Sequence, residues 1–381
     1  MRKSERRWAD NIESFARSVL ENPEVAIHFK EVLRMNGKKL VVILLTLVLL
    51  LAVSLSLSAQ KKTTLVVMIR GLDNPYHANY AVGARELGKK LGLSVDVLSS
   101  EGNSQKQFAD LRAEIAKTGG NIVVSVDPNE APDVVPIAKM LESAKAYWIN
   151  WWNKPPDVKV TSYKYWVSHV AFDAVGQGYY NAKELFKTFD TPNQGKIVAI
   201  QGMLANNAAI GRFQGLQKAL KEFPGVTLLQ WEGGEWDTTK AYSATKALLA
   251  AYPDVDGVWC ANDNMGMGAI QALKEAGLAG KVLVTGTDGN PEAFDAIKAG
   301  YMISTEFQDS RYQAQLGLTM CLAAKDGKLN VAKLPAKYRS WLIPGVKVNR
   351  ENVDEFVNEY IKKMPTYDLS DFFANWAGEA Q

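Results

Sequence analysis

The sequence predicts an α/β protein of two doubly wound parallel-sheet lobes joined by a three-segment hinge, preceded by one apolar N-terminal helix. Three observations predict it. From Thr63 onward, short β-branched runs alternate with longer helical patterns, and such alternation implies parallel strands with right-handed crossovers. Most of the runs are apolar on both faces, as buried parallel strands are. There are ten of them, many for one sheet, and the cue of a strand ending in polar residues before a helix recurs in each half.

In order, the strand-like runs are 65–70, 94–98, 122–126, 146–151 and 167–172, then 197–201, 227–231, 257–261, 282–286 and 302–308. Between them lie amphipathic patterns. Ala81, Ala84, Leu87 and Leu91 form one stripe of 78–91; Phe108, Leu111, Ile115 and Ala116 form one of 105–117. Residues 173–186, 209–221, 238–250, 265–275 and 309–325 read similarly. The chain is expected to cross between lobes near Phe172, Gln308 and Trp341. The N-terminal lobe then comprises 63–172 and 309–340, and the C-terminal lobe 173–308 and 341–349. Residues 350–381 remain as a C-terminal helix, starting near Asn349, and an aromatic, polar tail.

Ahead of the body, 1–39 is a charged segment with nine Lys/Arg and six Asp/Glu. Residues 40–57 form an uncharged, mostly apolar run of 18, near the lower limit for spanning a bilayer. Lys38 and Lys39 precede it, and Ser56, Ser58 and Ala59 give the small residues of a cleavage site. Segment 40–59 therefore reads as a signal peptide cleaved after Ser58 or Ala59, or as a retained signal anchor. Met35 is an alternative start. Either way the body is expected outside the cytoplasm, in the periplasm or anchored at the outer face of the membrane.

The rest of the chain is balanced at 35 basic and 35 acidic residues, which argues against a nucleic-acid partner. Cys260 and Cys321 form no CxxC, and His28, His77 and His169 lie far apart. Neither a metal site nor a cofactor is expected. No GxxxxGK[ST], no GxSxG and no GxGxxG after the first strand occurs, so the chain is not expected to be an enzyme.

Polar and aromatic residues collect at the carboxyl ends of the strand runs, where open α/β sheets bind ligands. Asn74 and Tyr76 follow the first run, and Asn150, Trp151 and Trp152 end the fourth. Asn262, Asp263, Asp288 and Gln308 end later ones. Amides, carboxylates and guanidinium groups suit hydroxyls, and aromatic rings cover the C–H faces of a sugar. Local roles compete. Asn74-Pro75 is also turn chemistry, and Asp263 and Asp288 are also helix caps, a role that suits Asp263 better. Adjacent strand residues point to opposite faces, so at most one of Trp151 and Trp152 enters a cleft. Arg212 near a helix start, where the dipole disfavours a cation, calls for a specific partner.

Five segments together carry a family resemblance over roughly 63–345. They are Asp73-Asn74-Pro75-Tyr76-His77, Ser168-His169-Val170-Ala171-Phe172-Asp173, Ala208-Ala209-Ile210-Gly211-Arg212-Phe213-Gln214-Gly215, the run from Trp259 through Asn262-Asp263-Asn264 to Ala269, and Gly286-Thr287-Asp288-Gly289. The body resembles the type I periplasmic sugar-binding proteins, the ribose/galactose-binding group that serves ABC importers. The resemblance implies that Asn74, Asn262 and Asp288 bind hydroxyls. It implies that Tyr76 and Trp236 stack on the ring, Arg212 forks two hydroxyls and Gln308 completes the set at the hinge.

Three departures stand out. The Asp-Arg pair that the group carries after its fourth strand is replaced by Asn150-Trp151-Trp152, His77 stands where the group has an aromatic, and Phe172 where it has a small polar residue. His77, Trp151, Trp152 and Phe172 therefore join the expected ligand-binding residues, and ribose itself is disfavoured. The resemblance implies a monomeric exported receptor that delivers a carbohydrate to an ABC permease by closing two lobes. The alternative is a membrane-anchored sugar sensor acting on a separate signalling partner. A sugar-responsive repressor needs a helix-turn-helix domain where this chain has its apolar run.

Overall fold

The structure, a computed structural model, describes residues 62–363 and 365–380. The charged segment 1–39 and the expected signal or anchor at 40–59 lie outside the described residues. Among the described residues no helix is long and apolar enough to cross a membrane.

The first lobe opens with β1 (Thr64–Ile69), α1 (Pro75–Leu91), β2 (Val95–Ser99), α2 (Ser104–Thr118), β3 (Ile122–Val126), α3 (Val134–Ala144), β4 (Tyr147–Trp151) and β5 (Trp166–Ala171). The second contains α4 (Ala174–Phe186), β6 (Gly195–Gln201), α5 (Asn207–Glu222), β7 (Val226–Gly233), α6 (Thr238–Ala251), β8 (Gly257–Cys260), α7 (Asp263–Glu275), β9 (Leu283–Thr285), α8 (Pro291–Lys298) and β10 (Met302–Phe307). The chain returns to the first lobe for α9 (Ser310–Lys325) and β11 (Ser340–Leu342), and to the second for β12 (Val346–Asn349) and α10 (Val353–Phe356). It ends in β13 (Gly378–Glu379).

The sheets run β13-β11-β5-β4-β3-β1-β2 and β12-β10-β9-β8-β6-β7. Pairing is parallel except where β12 meets β10 and β13 meets β11. Strand order reverses at β1 in one sheet and at β6 in the other. Crevices at the carboxyl ends of strands form at such reversals. The expected runs all lie on strands, because wholly buried segments such as Leu65–Ile69 and Ile122–Val126 are sealed between helix layers.

The third crossing differs from expectation. Trp341, expected at the crossing, pairs with Val170 in the first sheet, and its Nε1 donates to Ser168 Oγ at 2.9 Å. The crossing is made by Ile343-Pro344-Gly345, since Trp341 and Leu342 have their strand partner in β5 and proline and glycine break the run. The helix expected at 349–361 is shorter. Asn349 and Asn352 bond each other in a turn, the α-turn covers Val353–Phe356, and a π-turn follows through Ile361. The tail is a strap. Phe356 and Tyr360 pack on Phe307 of the second lobe, whereas Phe373 stacks on Tyr338 of the first at 3.9 Å and β13 extends its sheet. Helices α3 and α8 were not expected.

Helices α4 and α5 pack backbone to backbone. A Cβ on Gly178 would lie 1.8 Å from the carbonyl oxygen of Arg212. Gly178→Ala is therefore expected to force the helices apart, at about 1–3 kcal/mol or more of stability, measured by urea unfolding. It should also weaken ligand binding, because the backbone displaced is that of Arg212.

Candidate functional site

The cavity lies between the lobes, where both strand-order reversals face each other, and encloses about 460 Å³ of empty space, part of it open to solvent. The first lobe lines it with Asn74, Tyr76, His77 and Trp152; the second with Arg212, Trp236, Asn262 and Asp288; the hinge with Gln308. Two expected residues do not reach it. Trp151 is fully buried in the core of the first lobe, with Nε1 on Ser125 Oγ at 2.9 Å and its ring against Tyr80. Phe172 lies behind the wall, stacked on Trp152 at 5.2 Å.

The strand-end rule also applied to residues not expected from the sequence. Arg70 follows β1, Asp127 and Asn129 follow β3, and Asn206 caps α5; all four line the cavity. Their position just past a strand end was a usable signal for Arg70 and Asp127.

Several side chains serve both the fold and the cavity. Asn74 Oδ1 accepts from Tyr76 N at 2.9 Å and caps α1, with Pro75 at the first helical position. Asn262 Oδ1 caps α7 by accepting from Met265 N, while its Nδ2 donates to Asp288 Oδ2 at 3.1 Å. The cap of α7 is thus Asn262, not Asp263. Asp263 lies inside, accepting from Asn290 N and Thr305 Oγ1, each at 2.8 Å. Trp152 and Trp236 both adopt left-handed backbone, φ +62° and +66°, which turns each ring out of its loop and into the cleft.

Arg212 is held on every side. Its Nε donates to Gln177 Oε1 at 3.0 Å, Nη1 to the Ala261 carbonyl at 2.9 Å, and Nη2 stands 3.5 Å from Asp288 Oδ1. Gln177 Nε2 in turn donates to Glu306 Oε1 at 3.0 Å. The guanidinium lies over Trp152 at 5.2 Å and Trp236 at 5.6 Å, one ring from each lobe. Fixed this way, it presents only its remaining N–H directions to a ligand.

The lobes are closed on each other. Arg70 Nη2 donates to the Glu235 carbonyl at 2.9 Å, Asn206 Nδ2 to the Asn129 carbonyl at 3.2 Å, and Asn207 N to Asn153 Oδ1 at 2.8 Å. Around the cavity, however, polar atoms remain unpartnered and buried. They are Arg70 Nε, His77 Nδ1, Asp127 Oδ1, Asn129 Nδ2 and both Nε2 and Oε1 of Gln308. Each such atom costs about 1–3 kcal/mol unless something bonds it, and their clustering on one cavity makes it the candidate binding site. A family model described as the periplasmic binding protein domain matches residues 65–329.

The chain belongs to the periplasmic binding protein family. The ribose import binding protein RbsB of Salmonella typhimurium is 30% identical over 304 residues, covering 80% of this chain and 97% of its own length. A solved twin-arginine translocation pathway signal protein from Burkholderia phytofirmans is 37% identical with a TM-score of 0.81, covering 84% of this chain and 99% of its own. An ABC transporter periplasmic solute binding protein from Actinobacillus succinogenes, solved with bound D-allose, is 26% identical with a TM-score of 0.67, covering 77% and 100%. The family and the two named binding proteins serve transport, not catalysis. Membership implies a place outside the cytoplasm. Among the described residues no cluster of His, Cys, Asp and Glu could hold a metal ion.

Charge in this periplasmic binding protein's second lobe is finely set. Burial raises the carboxyl of Asp288, opposed by Arg212 and then by the Asn262 amide. Burial, and then the charge of Asp288, pushes Asp263 up to about 7. A carboxyl raised in the folded state contributes stability that is fully present below its unfolded value of 3.8 and lost as pH rises through about 7. Asp263→Asn should therefore flatten the decline in stability between about pH 4 and about pH 7. Thermal melts across that range test it; an unchanged slope refutes the assignment.

Proposed function

We propose that this chain is an exported receptor that captures an uncharged carbohydrate in the interlobe cavity and delivers it to an ABC permease. The observation that carries the reading is the balance of the unpartnered atoms. Arg70 Nε, Asn129 Nδ2 and Gln308 Nε2 are donors, while Asp127 Oδ1, Gln308 Oε1 and His77 Nδ1 are acceptors when His77 gives its Nε2–H to Asp127. Hydroxyls both donate and accept, so a polyol satisfies such a mixture; a carboxylate or phosphate needs donors only. The Arg212 guanidinium already faces the Asp288 carboxylate, and Asp127 is bonded by His77. The indoles of Trp152 and Trp236 supply surface for the C–H faces.

The relatives named for ribose and solved with D-allose support the same ligand class. A ligand that touches both lobes favours the closed form, and only that difference in affinity shifts the population. The permease then reads the closed outline.

The test is a panel of pentoses, hexoses and cyclic polyols, followed by tryptophan fluorescence and thermal melting. Closure should change the emission of Trp152 and Trp236, because the Arg212 guanidinium from the second lobe then lies over the Trp152 ring of the first. A ligand at about 100 times its Kd should add about 2.7 kcal/mol of apparent stability. A panel that moves neither signal refutes the reading.

A further inference from the structure

Neither packing nor capping accounts for one pair at the cavity. His77, in the first turn of α1, places Nε2 3.0 Å from Oδ2 of Asp127, the first residue past β3. Their side chains are 9% and 14% exposed, and both residues line the cavity. The second polar atom of each, Nδ1 and Oδ1, is buried without a partner. An imidazole that donates Nε2–H to a carboxylate keeps its lone pair on Nδ1. The first lobe thus carries two neighbouring groups that each have an unused acceptor.

The geometry points to His77 as a specificity-determining residue that accepts from a ligand hydroxyl through Nδ1. Asp127 holds the tautomer and accepts from a second hydroxyl through Oδ1. This rests on the carbohydrate reading above and narrows it: the ligand presents two hydroxyls close together to the first lobe, both as donors.

Titration calorimetry on the full chain with D-ribose, D-allose and myo-inositol tests the pair. For the tightest-binding probe, His77→Gln, whose amide oxygen still accepts, should keep most of the affinity, whereas His77→Phe, which has no acceptor, should bind about 10-fold more weakly. Wild-type affinity in His77→Phe, or equal losses in the two variants, overturns the inference while leaving carbohydrate binding intact. Failure of all three probes to bind overturns the carbohydrate reading and this inference with it. Nitrogen NMR of the liganded wild type reads the tautomer without any variant. A proton on Nε2 and none on Nδ1 is expected; the reverse overturns the assignment.

Discussion

Arg212→Ala should lose roughly 100-fold or more in carbohydrate affinity and also lose about 3–5 kcal/mol of stability. The two losses have one origin. Arg212 is 2% exposed, and removing it leaves the Asp288 carboxylate, 7% exposed, with the Asn262 amide as its remaining side-chain partner. Gln177 Oε1 and the Ala261 carbonyl lose their donors as well. Two further variants separate structure from binding. Arg212→Lys keeps the charge but not the planar fork, so it should recover part of the stability and little affinity. Arg212→Met combined with Asp288→Asn removes both charges and should recover most of the stability without restoring binding. Urea unfolding and titration calorimetry measure the two quantities independently. Wild-type affinity in Arg212→Ala would remove Arg212 from the site.

Gln308→Leu should move the same two quantities in opposite directions. The Gln308 side chain is buried with both amide atoms unpartnered, while its backbone N–H is bonded to the Asp288 carbonyl at 3.0 Å. Leucine keeps the volume and the backbone bond and removes the orphaned amide. Stability without ligand should rise by about 1–3 kcal/mol. Affinity should fall by roughly 10- to 100-fold, because a ligand hydroxyl that the amide would have served is left in an apolar environment. Gln308 sits at the crossing between β10 and α9, so the gain reports on polarity kept for a ligand at the hinge. A fall in stability instead would mean that the amide is bonded within the protein.

These two residues show how much of the site was legible in advance. Arg212, expected at a helix start, lies in the second turn of α5, which begins at Asn207, and was readable through the family resemblance, whereas Gln308 was readable because it stands at a strand end. The same local logic found Asn74, Asn262 and Asp288. It stopped short where two local roles competed. The choice between Trp151 and Trp152 turned on one left-handed residue just past β4. The choice between Asn262 and Asp263 as cap turned on which side chain could reach Met265 N once Asp263 had been claimed by Asn290 and Thr305. The fate of the aromatic tail depended on surfaces of both lobes, on Phe307 and on Tyr338, which lie far from it in sequence.

What the sequence determined alone is the alternation of buried strands and amphipathic helices, the two-lobe division and the polar residues at strand ends. Those features arise from side-chain spacing within one element, where burial selects a period of two or of 3.6. Only the tertiary structure decided which of those residues face one another. Tyr76 bonds Gln313 across 237 positions, Arg212 bonds Gln177 across 35, and His77 bonds Asp127 across 50. Such pairings depend on strand order and on how loops turn at the strand ends, and a local period carries no information about either.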